Sequence, residues 1–264
     1  MNDAERGQVN ASAADVYEEF FIPALFGQWT HRVLDAAAVG PGDRVLDVGC
    51  GTGILARAAA ECIGGDGAIT GLDPNPGMLR VAQRAAPNVA WHQGVAEALP
   101  FGDATFDRVV SQFAAMFFTD RGVAVDEMAR VLAPGGRLAI ATWGPLTQTP
   151  GYAAMVDLLG DVVDEAAADA LRAPFVLGDP QDLERMLSPT FFAVEVVLHD
   201  GVARFDSIDA WLHTDIRGWT LADRIDDALY AKLLTEARRR MQRFTRPDGG
   251  VEFPSPALIA TARH

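Results

Sequence analysis

The sequence predicts an α/β protein built on a doubly wound, mostly parallel sheet of seven strands. Three observations carry that expectation. Short β-rich runs alternate with helical runs from about Asp43 to Trp143. Gly49, Gly51 and Gly53 follow the first apolar run and precede the first helix of that pattern. Two further strand-like stretches, near Val194–His199 and Leu258–Ala262, are available to finish the sheet. Strands of four to seven apolar residues separated by helices imply a parallel sheet covered on both faces. A chain of 264 residues is long enough to bury an ample core around it.

Taken in order, "ADVYEEFFIPALFGQWTHRVLDAAA" reads as two helices broken at Pro23. The strands are "RVLDVG", "AITGLD", "VAWHQ", "DRVVSQF" and "RLAIATW", separated by "ILARAAAECI", "GMLRVAQRAA" and "VAVDEMARVL". In the last of these helices Ala124, Met128, Val131 and Leu132 recur at helical spacing. "APGG" (Ala133 to Gly136) reads as a helix stop and a turn. After Trp143 a turn-rich stretch leads to a helical segment over Tyr152–Leu171 and a helix capped by Asp179. "FAVEVVLHDGVARF" reads as a strand with a bend or hairpin at "HDG". The segment Ser207–Phe244, carrying Trp211, His213 and Trp219, reads as a helical cap. The resulting division is residues 1–40 as N-terminal helices over a pocket, 41–145 as the core, and 146–264 as the rest of the sheet, with the cap insert around 207–245.

Composition narrows the function. A net charge of −14 argues against a nucleic-acid surface, which needs a basic footprint. The one basic cluster, "ARRRMQR", is short enough to be a solvated helix face. No apolar run reaches membrane-spanning length, and "MNDAERGQ" does not read as a signal peptide. Cys50 and Cys62 do not form a disulfide framework, so a reducing cytoplasm is expected. The five histidines and two cysteines show no metal-ligand spacing, and no metal is expected.

The glycine loop occupies the place where an open parallel sheet binds ligands, at the carboxyl end of its first strand. Its spacing is not the dinucleotide G-x-G-x-x-G, because the third glycine comes one position early and Ile54 fills the expected slot. Asp47, two residues before the first glycine, would repel a pyrophosphate and suits a ligand bringing positive charge, such as an ammonium group. The competing role for Asp47 is to satisfy loop backbone donors. Asp73 closes the second strand about twenty residues past the glycines, where an acid accepts both ribose hydroxyls. Asn75 and Pro76 already supply a helix cap and first helical residue, which frees Asp73. Pro74 and Met78 are placed to line an adenine site.

"VLDVGCGTG", "GLDPNPGML", "GVAEALPFGDATFDRVVSQFAAMFF" and "EMARVLAPGGRLAIATW" resemble, in that order, the successive motifs of class I S-adenosylmethionine-dependent methyltransferases. The likeness is greatest to the small-molecule branch that includes the ubiquinone and menaquinone biosynthesis methyltransferases, and it covers about Tyr17 to Trp143. It implies a Rossmann-like sheet whose last strand is antiparallel, with 41–145 as the cofactor-binding core. It also implies S-adenosyl-L-methionine packed against Gly49, Cys50, Gly51 and the rest of the loop through Gly53. Asp47 would face the methionyl portion and Asp73 the ribose, with Pro74 and Met78 beside the adenine. Val95, Ala96 and Glu97 would edge the adenine, and Ser111, Gln112 and Phe113 would border the sulfonium. One departure stands out: many relatives carry an acid at the position of Val95, where it accepts from the adenine amino group. A valine leaves that bond to backbone near Ala96, to Glu97 or to water, a difference on the order of 1 kcal/mol.

Methyl transfer from a sulfonium is an in-line displacement that rests on positioning. His31, His213 and Tyr17 are the available bases if the acceptor needs one, but a packing or surface role suits each better, and no catalytic residue is assigned. Tyr17, Phe21, Trp29, Phe113, Phe117 and Trp211 are the candidate acceptor contacts, and they favour a small aromatic or apolar molecule. Two other classes compete: a non-catalytic cofactor-binding protein on the same fold, and a nicotinamide-dependent oxidoreductase.

Overall fold

The computed structural model describes residues 14–217, 221 and 224–264; Trp219, expected in the cap, lies outside them. The N-terminal segment departs from the expected break at Pro23. A single turn, α1 (Ala14–Val16), continues into a π-helical run over Tyr17–Phe26 with Pro23 inside it. A 3-10 turn (Gly27–Trp29) then leads into α2 (Thr30–Ala36). Proline has no N–H to donate and its ring crowds the carbonyl one α-turn back. The wider winding, with the Gly27 N–H reaching the Ile22 carbonyl, absorbs that misfit without breaking the helix.

The alternation that follows is as expected: β1 (Arg44–Val48), α3 (Ile54–Ile63), β2 (Ala68–Asp73), α4 (Pro76–Ala85), β3 (Ala90–Gln93), β4 (Phe106–Gln112), α5 (Arg121–Val131) and β5 (Leu132–Trp143). Asn75 caps α4, its side chain accepting from the Gly77 and Met78 N–H groups, with Pro76 in the first turn. β5 begins earlier than predicted. Its pairing with β4 steps from Phe106–Leu132 to Arg108–Arg137, so "APGG" bulges out of one long strand, with Gly135 at φ +78°.

The second half adds α6 (Pro150–Val162), α7 (Glu165–Arg172) and α8 (Pro180–Leu187), the last capped by Asp179 as expected. β6 (Phe192–His199), β7 (Val202–Phe205), α9 (Ile208–Arg217), α10 (Asp227–Arg240), β8 (Val251–Pro254) and β9 (Ala257–Arg263) complete the chain. The main sheet runs β3-β2-β1-β4-β5-β9-β6. Strands β1 to β5 are parallel, and β9, last in sequence, is antiparallel to both β5 and β6. The order reverses between β1 and β4, and the crevice above their carboxyl ends is the ligand position of such a sheet. β7 does not fold back on β6; it pairs with β8 in a separate two-stranded sheet.

The expected cap helix over Ser207–Phe244 is two helices, α9 and α10, packed with that small sheet. Trp211 is their anchor and not a pocket residue. It is fully buried, with its ring centroid 4.7 Å from Phe253 and 5.7 Å from Phe205. Trp211→Ala is therefore expected to cost roughly 3–5 kcal/mol of stability, the usual penalty for deleting a buried tryptophan. Chemical denaturation of the variant measures it.

Candidate functional site

The loop after β1 is held by backbone chemistry. The Gly49 and Cys50 N–H groups both donate to the Leu72 carbonyl of β2, at 2.7 and 3.0 Å. Gly49, Gly51 and Gly53 all have positive φ (72°, 54° and 84°), where side chains are strained. Their reasons differ beyond that. A Cβ on Gly49 would stand 2.3 Å from the Ala114 Cβ, and one on Gly53 2.4 Å from the Trp91 ring. A Cβ on Gly51 would enter open space. Gly49 and Gly53 admit neighbouring side chains, whereas Gly51 leaves room for a ligand.

Above the loop lies a cavity of about 300 Å³. It gathers Asp47, Gly49, Cys50, Gly51 and Thr52 from the first strand end, and Asp73, Pro74, Asn75 and Met78 from the second. Val95, Ala96 and Glu97 come from the loop after β3, Gln112 and Phe113 from the end of β4, and Phe117 from the turn beyond it. Tyr17, Phe21 and Phe26 of the π-helical run close over it. The lid is tied down by an ion pair from Glu18 to Arg57 of α3 (2.7 Å) and by Asp15 to Arg84 of α4.

Four of the named residues sit elsewhere. Gly53 packs beneath Trp91. Ser111 points to the opposite side of β4 from Gln112, its hydroxyl donating to the Val48 carbonyl at 2.8 Å. Trp29 is fully buried below the lid, edge-on to Phe113 at 6.1 Å. Trp211 belongs to the cap core. Of the three groups weighed as bases, only Tyr17 lines the cavity; His31 and His213 are exposed.

Two buried carboxylates dominate the electrostatics. Among the described residues neither oxygen of Asp47 has a well-formed hydrogen bond, the Ala56 N–H being the donor that faces it. Burial pushes its pKa up to about 8, opposed by the nearby Ala56 backbone N–H and reinforced by Asp73. The donor acting on Asp47 is thus in the first turn of α3, and no described donor of the glycine loop bonds it. Asp73 is pushed up to about 6 by burial, opposed by the backbone N–H groups of Asn75 and Gly51. Those donors lie 2.8 and 2.9 Å from its two oxygens. Each oxygen keeps a free acceptor site, since an ionised carboxylate takes about four hydrogen bonds. Thr52 Oγ1 and Gln112 Oε1 are also buried without partners. Among the described residues, the cavity lining contains no lysine, arginine or histidine.

Glu97 lines the cavity and also has a structural task. Its Oε1 accepts from the Thr119 and Asp120 N–H groups at 2.5 and 3.1 Å, pinning the start of α5 to the loop after β3. Val95 is exposed at the rim. Across the cavity, Phe113 has φ +54°, a costly conformation for a bulky residue, held by its N–H on the Ala141 carbonyl at 2.8 Å. That backbone stacks its ring on Trp143, centroids 3.9 Å apart and 19° from parallel, with Phe26 5.4 Å from Phe113.

Trp143, Thr52, Asn75 and Thr119 also line the cavity, although sequence reasoning gave none of them a ligand role. Trp143 was the findable one. It ends β5, the strand beside β4, and ligands gather at such carboxyl ends. Thr119 reaches the cavity only through the course of the chain after β4, which no local pattern announces.

Residues 45–136 match a family model described as a methyltransferase domain. A demethylmenaquinone methyltransferase of Renibacterium salmoninarum is 40% identical over 123 residues, 45% of this chain and 51% of that protein. A ubiquinone/menaquinone biosynthesis C-methyltransferase of Teredinibacter turnerae is 35% identical over 136 residues, 49% of this chain and 55% of its own. The chain thus spans about half the length of the curated relatives it matches. The likeness of fold extends further. A phosphoethanolamine N-methyltransferase 2 of Haemonchus contortus, solved in complex with S-adenosyl-L-methionine, superposes with a TM-score of 0.62 at 18% identity, covering 96% of this chain and 57% of that one. The loop, the two acids and the ends of β1 to β4 that line the cavity all fall within residues 45–136, the span that is similar to a methyltransferase domain.

Proposed function

We propose that the chain binds S-adenosyl-L-methionine in this cavity and transfers its methyl group to a small, aromatic or apolar acceptor. The observation that carries the reading is Asp47, a buried carboxyl group with no well-formed hydrogen bond among the described residues, beside the open cradle at Gly51. An unsatisfied buried acid is costly, and an incoming ammonium group removes the cost. The residues present fit that cofactor. Asp47 faces the ammonium end, Asp73 has acceptor sites left for the ribose hydroxyls, and Pro74 and Met78 offer an apolar wall to the adenine. The bound cofactor supplies an electrophilic methyl on a sulfonium. The chain itself positions the acceptor against that methyl and shields the pair from water. Gln112 Oε1 and the Phe113–Trp143 stack are the groups placed to orient a flat acceptor.

The rivals fare worse on the same observations. A nicotinamide dinucleotide would carry its pyrophosphate past Asp47 and Asp73 into a lining that holds no cation among the described residues. A purely binding role leaves the aromatic side of the cavity without a purpose. The reading includes a soluble, cytoplasmic setting, in keeping with two free cysteines and with no described helix long and apolar enough to cross a membrane.

The cofactor assignment is tested by calorimetry with S-adenosylhomocysteine, with one site expected. Gly51→Val should abolish binding. Asp73→Ala should weaken it roughly ten- to a hundredfold, the worth of one hydrogen bond to a charged group. Normal affinity in both folded variants would overturn the assignment.

A pH dependence follows from the acids. Their folded pKa values, about 8 for Asp47 and about 6 for Asp73, lie above the ordinary 3.8. The stability they permit is intact below pH 3.8 and drains away as pH rises toward 8. Asp47→Asn should flatten that decline in thermal melts of the ligand-free protein. It should also remove the proton release expected when an ammonium-bearing ligand binds near neutral pH. For the acceptor side, Phe113→Ala should raise KM for an aromatic acceptor while leaving S-adenosylhomocysteine affinity unchanged, as read by steady-state kinetics beside calorimetry.

A further inference from the structure

Among the described residues, β6 is the outer strand of the main sheet, pairing with β9 alone. The bulge between Phe192 and Glu195, with Ala193 at φ +49°, disrupts only its beginning. From Glu195 to His199 the pairing with β9 is regular, and Val197 and Leu198 are each 40% exposed. Natural edge strands are usually short, charged, bulged or covered, because free N–H and C=O groups with apolar side chains invite another strand. This stretch has the geometry of an edge meant to be paired.

We propose that β6 pairs antiparallel with β6 of a second copy of this chain, about a two-fold axis through Val197, joining two seven-stranded sheets into one. The occupant is argued from the side chains. In an antiparallel pair, residues directly opposite share a face and interact most strongly. A two-fold at Val197 sets Glu195 of each copy opposite His199 of the other, an acid facing an imidazole on both sides of the axis. On the other face it sets Val196 opposite Leu198, apolar against apolar. Moving the axis one residue either way puts Glu195 opposite Val197 or opposite Gly201, and leaves His199 without its acid. A half-residue shift opposes side chains of different faces, which a regular ladder does not allow. The same surface patch thus complements itself, as a two-fold interface requires. Beside it, Arg137, Thr261 and Ile259 with Ala36 form a shallow groove next to Glu195, Val197 and His199, which the second copy would cover.

The intact chain tests this directly. Sedimentation over a concentration series should show a reversible monomer–dimer equilibrium, and Val197→Lys should shift it to monomer without lowering S-adenosylhomocysteine affinity. The register has its own readout. In a Cys62→Ser background, Val197→Cys should form an intermolecular disulfide on mild oxidation, because residue 197 faces itself across the axis. Val196→Cys in the same background should not. His199→Glu should weaken the dimer, and Glu195→His combined with it should restore it. A chain that stays monomeric at every concentration overturns the proposal. So does a dimer that survives Val197→Lys, or that cross-links through residue 196 and not through 197. These readouts are independent of catalysis, so a failed methyl-transfer assay leaves them interpretable.

Discussion

Asp47 and Asp73 lie near the ends of adjacent parallel strands, both buried, and a buried carboxyl group, charged or neutral, is unfavourable unless something answers it. Much of the surrounding design is arranged by that constraint. The Gly51 and Asn75 N–H groups partner one acid. The other is left facing a cavity whose shape is set by glycines that admit Ala114 and Trp91 on one side and open space on the other. The strand order makes the meeting unavoidable, because the chain leaves β1 toward β2 and later returns to the opposite side at β4.

The lid answers the same constraint from above. A proline inside a helix normally ends it, yet here the winding relaxes to the π form and carries Phe21, Ile22, Leu25 and Phe26 into burial. The consequence is an aromatic roof over an acidic floor. Tyr17 stacks on Phe26 at 5.1 Å, and its hydroxyl is held firmly protonated by burial and by the acids below. Phe113 gives up backbone comfort to join Trp143 on the far wall.

How much of this was legible depended on the range of the interactions. The β1 loop, Asp73 and the Asn75–Pro76 cap are local, and period and spacing revealed them. The strands that complete the sheet were legible too, since apolar runs of that length have few other uses. Pro23 misled because a helix-breaker's effect depends on whether the helix can rewind, and the packing of Phe21 and Phe26 decided that. Trp29 and Trp211 looked like pocket residues because buried aromatics serve cores and ligands alike; only their neighbours tell the two apart. Ser111 and Gln112 are adjacent on one strand, and the alternation of faces alone gave the cavity to Gln112. The separation of β7 from β6 was hidden because its partner β8 lies far along the chain.

The absence of basic residues from the described cavity lining bears on selectivity in a crowded mixture. The adenosine compounds that dominate metabolism, ATP foremost, share the base and ribose of the proposed cofactor but end in polyphosphate. An adenosine pocket that offered a lysine would fill with them. On the proposed reading, the group that distinguishes the rare ligand from the abundant ones, positive where theirs are negative, is the one that would meet Asp47. Rejection of the common competitor and attraction of the proposed cofactor would then be the work of a single carboxylate.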